Sequence, residues 1–396
     1  MLFTFIFLIS LSGCHRKSAP EIIYVGHVAA FRGPDKFNGE QARQGILLAL
    51  EEAQGSEDTI GENRRVEVIH VDSEGDVKSV EPKTVRLVAV NHVAALLGGT
   101  DWAYGEAMIP VAQSNEIPLL VTGGLPGRST QAYAFHTGLS PDRQAEALAD
   151  FASNHHAPPI KKMAVLVDGV DKGPSSFLAG KVMREFLKKE GNSLAGEWTY
   201  KEYRKGAAGT EGEWSFKSAE DLKDIVEQVR GRHPEGILLV GSPGDLARLR
   251  KAGLDEKLPL FFAGEDGSEG VLRGISSGQP VFLATGFALD QNEKQKDFAT
   301  RYEKRFHEPP DVHAAFAYEN MKILLDVMGR VSSAKGVKIQ EALESLTDFP
   351  TLSGDVTFDK DHHWADCQAF VVRVQDGRVK VEYVPKKEEK KDGSTH

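Results

Sequence analysis

Cysteine is almost absent from this chain of 396 residues, which contains only Cys14 and Cys367. Cys14 lies next to a short apolar N-terminal run, so Cys367 alone is left for the part of the chain that folds. A single cysteine excludes an internal disulfide there, and the cysteine count gives no metal site. We therefore expect Cys367 to lie in a strand and to behave as a small apolar residue.

Charge and hydrophobicity exclude further classes of protein. The net charge of −10 is spread along the chain, which argues against a nucleic-acid partner. The N-terminal apolar run, Leu2 to Leu11, is too short for a membrane-spanning helix, which needs about 20 residues. Hydrophobic residues make up 40% and charged residues 27%, as in ordinary soluble proteins. The length predicts two domains rather than one.

Motifs for catalysis are also missing. Gly98-Gly99 and Gly123-Gly124 do not form a dinucleotide fingerprint, and the sequence contains no phosphate-binding P-loop. The adjacent pairs His155-His156 and His362-His363 make poor metal sites, because neighbouring residues share no face of a helix or strand. An enzyme is therefore the weakest interpretation, and no cofactor is expected.

The first residues have the features of a secretion signal. The run from Leu2 to Leu11 has the length of the apolar core of a secretory signal peptide. Leu11-Ser12-Gly13-Cys14 resembles the lipobox of bacterial lipoproteins, in which the cysteine becomes the lipidated first residue. No Lys or Arg precedes the run, and the alternative is that Cys14 is an ordinary thiol behind a misassigned start. The lipoprotein interpretation makes residues 1–13 a signal peptide and 14–20 a tether, with Cys14 anchored by acyl chains.

Residues 22 to 53 predict the first structural unit. The apolar segment Ile22–Gly26 predicts a strand, and one face of the following helix carries Ala42, Ile46, Ala49, Leu50 and Ala53. A strand, a loop and an amphipathic helix form the first half of a parallel βαβ unit. Ligands bind at the carboxyl ends of such strands, so the Gly33–Gly39 loop is the first candidate binding surface. The alternative is that Gly33-Pro34 is only a turn.

The same pattern recurs along the chain and predicts an α/β fold. Further strands are predicted at 66–72, 93–97, 117–121, 163–168, 236–240, 258–263, 281–287 and 356–359. Most of them are continuously apolar, which indicates sheets covered on both faces. Asp376-Gly377 predicts a hairpin between strands 370–374 and 379–383. Residues 198–218 are predicted to form an exposed excursion, and 385–396 a charged, disordered tail.

Several motifs occur in an order that resembles a known family. They are Gly33-Pro34 with Asn38-Gly39-Glu40, Ile117–Leu120, Ala164–Asp168, Ala252–Leu254 and, most specifically, Leu352–Asp359. This order resembles the periplasmic substrate-binding proteins of the leucine/isoleucine/valine class, which are type I binding proteins of ABC transporters. The resemblance covers roughly residues 22 to 384.

The resemblance implies two doubly wound parallel-sheet lobes that are joined by a three-stranded hinge. Lobe 1 would take residues 21–143 and 268–352, and lobe 2 would take 144–267 and 353–384. A ligand would bind between the lobes, which close on it.

Carried over position by position, the resemblance implies a ligand site at Asn38, Thr100, Asp101, Trp102, Thr122, Gly124, Asp142, Lys172, Ser242 and Asp266. Asp266 would bind an ammonium group. The family's aromatic residues are replaced at Asn38, Lys172 and Ser242, and its carboxylate-binding serine is replaced near Asp101 and Trp102. The alternatives are that Asp101 caps the following helix and that Lys172 is a solvated rim residue. The fold therefore transfers better than the specificity for amino acids.

The function that the resemblance implies is capture of a small polar ligand, an amino acid or an amide-like compound, outside the cytoplasm. The ligand would be delivered to an ABC permease, and the lipid anchor would hold the protein at a membrane. The alternative is a sensory receptor of the same fold that is coupled to a membrane signalling partner.

Overall fold

The computed structural model describes residues 21–33, 35–54, 64–100, 102–123, 132–169, 174–204, 213–241, 244–264, 280–289, 291–364 and 366–385. The first elements are β1 (Glu21–Ala29), α1 (Lys36–Gln54), β2 (Arg64–Asp72), α2 (Val80–Ala89), β3 (Ala95–Gly98), α3 (Trp102–Ser114), β4 (Leu119–Val121), β5 (Ala134–His136), α4 (Pro141–Asp150), β6 (Lys162–Val167), α5 (Pro174–Leu187) and β7 (Ser193–Thr199). They are followed by β8 (Lys201–Arg204), β9 (Glu213–Phe216), α6 (Ala219–Gly231), β10 (Gly236–Val240), α7 (Asp245–Lys251), β11 (Leu260–Ala263), β12 (Val281–Thr285), α8 (Glu293–Phe306), α9 (Val312–Val331), α10 (Gly336–Glu344), β13 (Phe349–Pro350), β14 (Asp355–Val356), β15 (Phe370–Gln375) and β16 (Arg378–Tyr383).

Two sheets organise these elements. The first sheet has the strand order β2-β1-β3-β4-β5 and is parallel throughout. The second has the order β16-β15-β12-β11-β10-β6-β7, in which β15 alone runs antiparallel to the other strands. Strands β3, β4 and β10 are buried along their whole length, as continuously apolar strands should be in sheets covered on both faces. The two predicted βα series are therefore confirmed as two parallel sheets.

Among the described elements, three connections join the two sheets, between β5 and α4, between β12 and α8, and between β14 and β15. The third connection first extends the edge of the first sheet, since the His136 amide donates to His362 O at 2.8 Å and the Trp364 amide to His136 O at 2.9 Å. The predicted boundaries differ from this arrangement. Strand β12 pairs with β11 and β15 in the second sheet, although 268–352 was assigned to lobe 1. Residues 362–364 accompany the first sheet, although 353–384 was assigned to lobe 2.

Local predictions had mixed outcomes. The hairpin at Asp376-Gly377 is confirmed, with positive φ angles of 52° and 70° at the two turn residues. The excursion predicted at 198–218 is wrong in part, because its start completes β7 and its flanks pair as the hairpin β8–β9. Cys367 is buried, as expected, but it precedes β15 instead of lying in a strand. Among the described helices, none is both long and apolar enough to cross a bilayer.

Helices α1 and α9 pack at very short range on the first sheet. The predicted apolar face of α1 is buried, with Ala42 and Ile46 fully inaccessible. Gly45 lies against the backbone of α9, where an added Cβ atom would come within 2.2 Å of Ala314 O. Only a residue without a side chain allows this approach, so Gly45 sets the distance between the two helices.

We predict opposite effects for the same substitution at two helical glycines. Gly45→Ala should lower the free energy of unfolding by about 1–3 kcal/mol, because the new methyl group overlaps Ala314 O. Gly180→Ala in α5 is the control, because a Cβ there meets only the Arg184 side chain at 3.6 Å. It should be neutral or stabilise by up to about 1 kcal/mol. Urea denaturation would measure both, and equal midpoints would contradict the proposed helix contact.

Candidate functional site

The carboxyl ends of the parallel strands of the first sheet lie along one edge, and three loops leave from it. The loops after β3 and β4 are tied together, because the Thr122 hydroxyl donates to Gly99 O at 3.2 Å and the Thr122 amide to Gly98 O at 3.1 Å. Gly99 has a φ of 64°, and a Cβ there would lie 2.5 Å from Val121. These contacts therefore hold the starts of the two loops together at this edge of the sheet.

A carboxylate fixes the loop that follows β1. Asp72, at the end of β2, accepts hydrogen bonds from the amides of Phe31 at 2.9 Å and Glu74 at 2.7 Å, and from Arg32 Nε at 2.6 Å. Partial burial alone would raise the pKa of Asp72, but these hydrogen bonds and the Arg32 charge outweigh it and lower the pKa. The carboxylate therefore stays ionised and holds the loop in place.

Two histidines lie under this loop on neighbouring strands. His27 Nδ1 and His70 Nδ1 are 2.9 Å apart, and the two rings meet edge to face. Burial, together with the nearby Arg43, lowers the pKa of His27 far below its ordinary value and that of His70 to about 4. The pair is therefore neutral near pH 7. Phe31 contacts both rings and lies 5.4 Å from the Arg43 guanidinium, so an aromatic side chain does occupy the first loop.

Three predicted ligand residues come together at this edge. Thr100 and Thr122 are buried, and Trp102 is half-buried as the first residue of α3. A small cavity beneath their loops is lined by His27, Thr100, Thr122 and Asn320, among others. Asn38 is half-buried in the first turn of α1. The edge thus offers hydroxyls and helix-start amides, the groups that bind carboxylates well.

Asp142 occupies a different environment. It lies in the first turn of α4, which Ser140 caps by accepting a hydrogen bond from the Arg143 amide at 3.3 Å. Its carboxylate, about two-thirds exposed, forms an ion pair with Lys181 of α5. Asp142 therefore has a structural partner already, and its role towards a ligand stays a prediction.

The remaining predicted positions, Asp101, Gly124, Lys172, Ser242, Asp266 and the lipidation site Cys14, lie outside the described residues. The ends of their strands are described for the second sheet. Asp168, Gly241 and Gly264 follow β6, β10 and β11, which are adjacent and parallel. The loops predicted to carry Lys172, Ser242 and Asp266 therefore start from a common edge.

The pair His362-His363, which the sequence singled out, stacks on aromatic rings of the first sheet. His362 stacks on Phe135 at 4.4 Å, and His363 stacks on His136 at 4.3 Å. Throughout the described ranges, no group of three or more His, Cys, Asp or Glu side chains is placed to hold a metal ion.

Comparison with known proteins identifies the family. A family model described as "Periplasmic binding protein" matches residues 22–378. The chain belongs to this family. Among curated proteins, none matches the chain.

Solved structures of periplasmic binding proteins share the fold. LivJ, the branched-chain amino acid binding protein of Streptococcus pneumoniae in complex with isoleucine, has a TM-score of 0.74 at 18% identity, over 92% of this chain and 100% of LivJ. A solute-binding protein of Rhodopseudomonas palustris in complex with 3,4-dihydroxybenzoic acid has a TM-score of 0.71 at 17% identity, over 89% and 93%. An amino acid ABC transporter substrate-binding protein of Pseudomonas fluorescens has a TM-score of 0.75 at 14% identity, over 94% of this chain and 98% of that protein. The predicted family and type I fold are confirmed.

The motif that most resembled the periplasmic binding proteins, Leu352–Asp359, lies in the segment that leads to the third connection. Glu319 of α9 accepts hydrogen bonds from the amides of Leu352 at 2.6 Å and Ser353 at 3.0 Å. Asn292 and Gln295, at the start of α8, donate to Leu352 O at 3.3 and 3.4 Å. Complete burial raises the pKa of Glu319 to about 7 despite its hydrogen-bond donors. Glu319 therefore couples this segment to the protonation state of one carboxyl group.

We predict that Glu319 makes the protein less stable as the pH rises from 4.5 to 7. The unfolded chain ionises this group near pH 4.5 and the folded protein only near 7, so the stabilisation present below pH 4.5 is lost as the pH rises through 7. The shift corresponds to about 3 kcal/mol as an upper limit. The measurement is the free energy of unfolding of wild type and Glu319→Gln between pH 4.5 and 8.

Glu319→Gln keeps an oxygen for the two amides but cannot ionise. Its stability relative to wild type should therefore rise over this pH range. A constant difference between the two proteins would show that Glu319 titrates normally and that burial does not control its pKa.

Proposed function

We propose that this periplasmic binding protein is a lipid-anchored, extracytoplasmic solute receptor that captures a small polar ligand between its lobes and delivers it to an ABC permease. The observation that supports this function is the set of loops at the carboxyl ends of the parallel strands in two sheets, which three connections join in the described part of the chain. Parallel sheets bind ligands at this edge, and few connections allow the lobes to move as rigid bodies.

The ligand that we propose is an amino acid or an amide-like compound. Closure of the lobes removes water, so each charge of the ligand needs a partner in the protein. The Thr100 hydroxyl and the amides that start α3 would bind a carboxylate, and the Thr122 hydroxyl would join them by exchanging its hydrogen bond to Gly99 O for one to the ligand. Asp266 would bind an ammonium group, and Lys172, Ser242, Asn38 and Trp102 would shape the rest of the site. Isoleucine and 3,4-dihydroxybenzoic acid, found in proteins of similar fold, share a carboxylate but differ in the ammonium group.

Ligand binding can be tested with the chain lacking residues 1–19. We expect one compound among amino acids, amides, ureas and benzoates to raise the unfolding temperature. A ligand at about 100 times its Kd adds roughly 2.7 kcal/mol to the stability. Asp266→Asn should weaken binding of an amino acid at least tenfold and leave a benzoate unaffected, because only the amino acid carries an ammonium group. Isothermal titration calorimetry gives both affinities.

Glu256→Gln is the matched control, since Glu256 is an exposed acid of the same lobe. It should bind the ligand like wild type. A folded protein that responds to none of the compounds would count against a solute receptor. Equal losses in the Asp266 and Glu256 variants would remove Asp266 from the site.

The membrane anchor depends on Cys14 in this proposal. Full-length protein expressed in a bacterium should partition with membranes and incorporate labelled palmitate, because lipidation at this cysteine supplies the acyl chains. Cys14→Ser should abolish both, while Cys367→Ser, the control at the buried cysteine, should abolish neither. Palmitate incorporation that persists in Cys14→Ser would refute the lipobox.

A further inference from the structure

A buried polar cluster lies where β10 ends and α7 begins, and sequence reasoning gave it no role. Tyr200 is completely buried, and its hydroxyl lies 2.9 Å from both Val240 O and Asp245 Oδ2. Lys201 Nζ lies 2.7 Å from the same carboxylate oxygen, and Asp245 is 7% exposed. One hydroxyl and one carboxylate thus bridge the last residue of β10 and the first residue of α7.

The backbone between them is shaped by this cluster. Gly241 has a φ of 140°, a conformation that favours glycine, and a Cβ there would lie 2.2 Å from the Tyr200 hydroxyl oxygen and 3.1 Å from Asp245 Oδ2. The same added Cβ atom at Gly241 would lie 3.1 Å from the Cβ atom of Asp168. The chain therefore leaves β10 along a path that the Tyr200 hydroxyl defines.

Charge pairing keeps the cluster in one arrangement. Burial, reinforced by Asp245 and Asp168, raises the pKa of Tyr200, so its hydroxyl remains a donor. The buried Asp245 carboxylate is compensated by Lys201, which also lies 5.2 Å from the centre of the Phe216 ring. Arg248 of α7 lies 4.4 Å from the same ring. The hairpin β8–β9 is therefore held to α7 by the Lys201–Asp245 ion pair and by the contact of Arg248 with Phe216.

We propose that Tyr200, Lys201 and Asp245 are positioning residues of the ligand site in the second lobe. They fix the start of the loop between β10 and α7 without touching the ligand themselves. This inference rests on the proposed function, because it assumes that the carboxyl-terminal edge of the second sheet binds a ligand.

Amide hydrogen exchange of the full chain without ligand tests whether the three residues fix the start of the loop between β10 and α7. Asp245→Asn should speed exchange in residues 244–249 at least tenfold, while α6 and the first sheet keep their wild-type rates. Tyr200→Phe should act at the same place, and the double variant should add little, because both changes break one bridge. Asp224→Asn, an exposed acid on α6, is the control and should change nothing.

Affinity for L-isoleucine and for benzoate, used as probes, tests whether the fixed loop matters for ligand binding. Whichever probe binds wild type should bind Asp245→Asn and Tyr200→Phe at least fivefold more weakly, and Asp224→Asn normally.

Exchange that rises throughout the lobe would indicate general destabilisation and overturn the inference, as would rates equal to the control. Faster local exchange with unchanged affinity would overturn the link to the ligand alone. If neither probe binds wild type, the proposed function fails for these ligands, and the exchange rates still decide whether the bridge fixes the turn. Tyr200→Phe carries the test if Asp245→Asn does not fold.

Discussion

Hydrogen bonding between parallel strands is the constraint on which the rest of this structure depends. Strand β1 pairs in register with β2 on one side and β3 on the other, so that Val25 lies opposite both Val68 and Ala95. Parallel pairing puts all carboxyl ends at one edge and forces each return helix onto a face of the sheet. The loops that carry polar side chains are therefore collected at one edge, where hydrogen bonds such as Thr122 to Gly99 O connect neighbouring loops.

The connections between the sheets pose a different problem, because irregular backbone must be satisfied away from a ladder. Glu319 supplies a carboxylate for two amides of the segment before the third connection, and the backbone of His136 supplies a donor and an acceptor for residues 362–364. Burying these polar groups costs free energy, which the hydrogen bonds largely offset. The gain is a defined path for the chain between the two sheets.

Periodicity in the sequence predicted what depends on local burial. The buried face of α1, the strand at 236–240 and the hairpin at Asp376-Gly377 were all visible, because each needs only its own residues and solvent exclusion. The sheet membership of β12 was not visible, since its pairing with β15 joins segments about 90 residues apart. The site follows the same rule. Strand ends predicted its loops, whereas Phe31 over two histidines and Tyr200 on Asp245 are long-range contacts without any local signal.

The carboxylates near the two edges suggest how specificity is divided between scaffold and loops. Asp72 holds the first loop, and Asp142 forms an ion pair with Lys181. Asp245 accepts a hydrogen bond from Tyr200 and forms an ion pair with Lys201. An acid that already has partners gains little from binding an ammonium group, because it must first give up those hydrogen bonds. The charge of an amino-acid ligand would therefore have to be met by acids carried on the loops. Since the scaffold is shared with binding proteins at 14–18% identity, a few loop side chains can set the ligand while the paired acids maintain the fold.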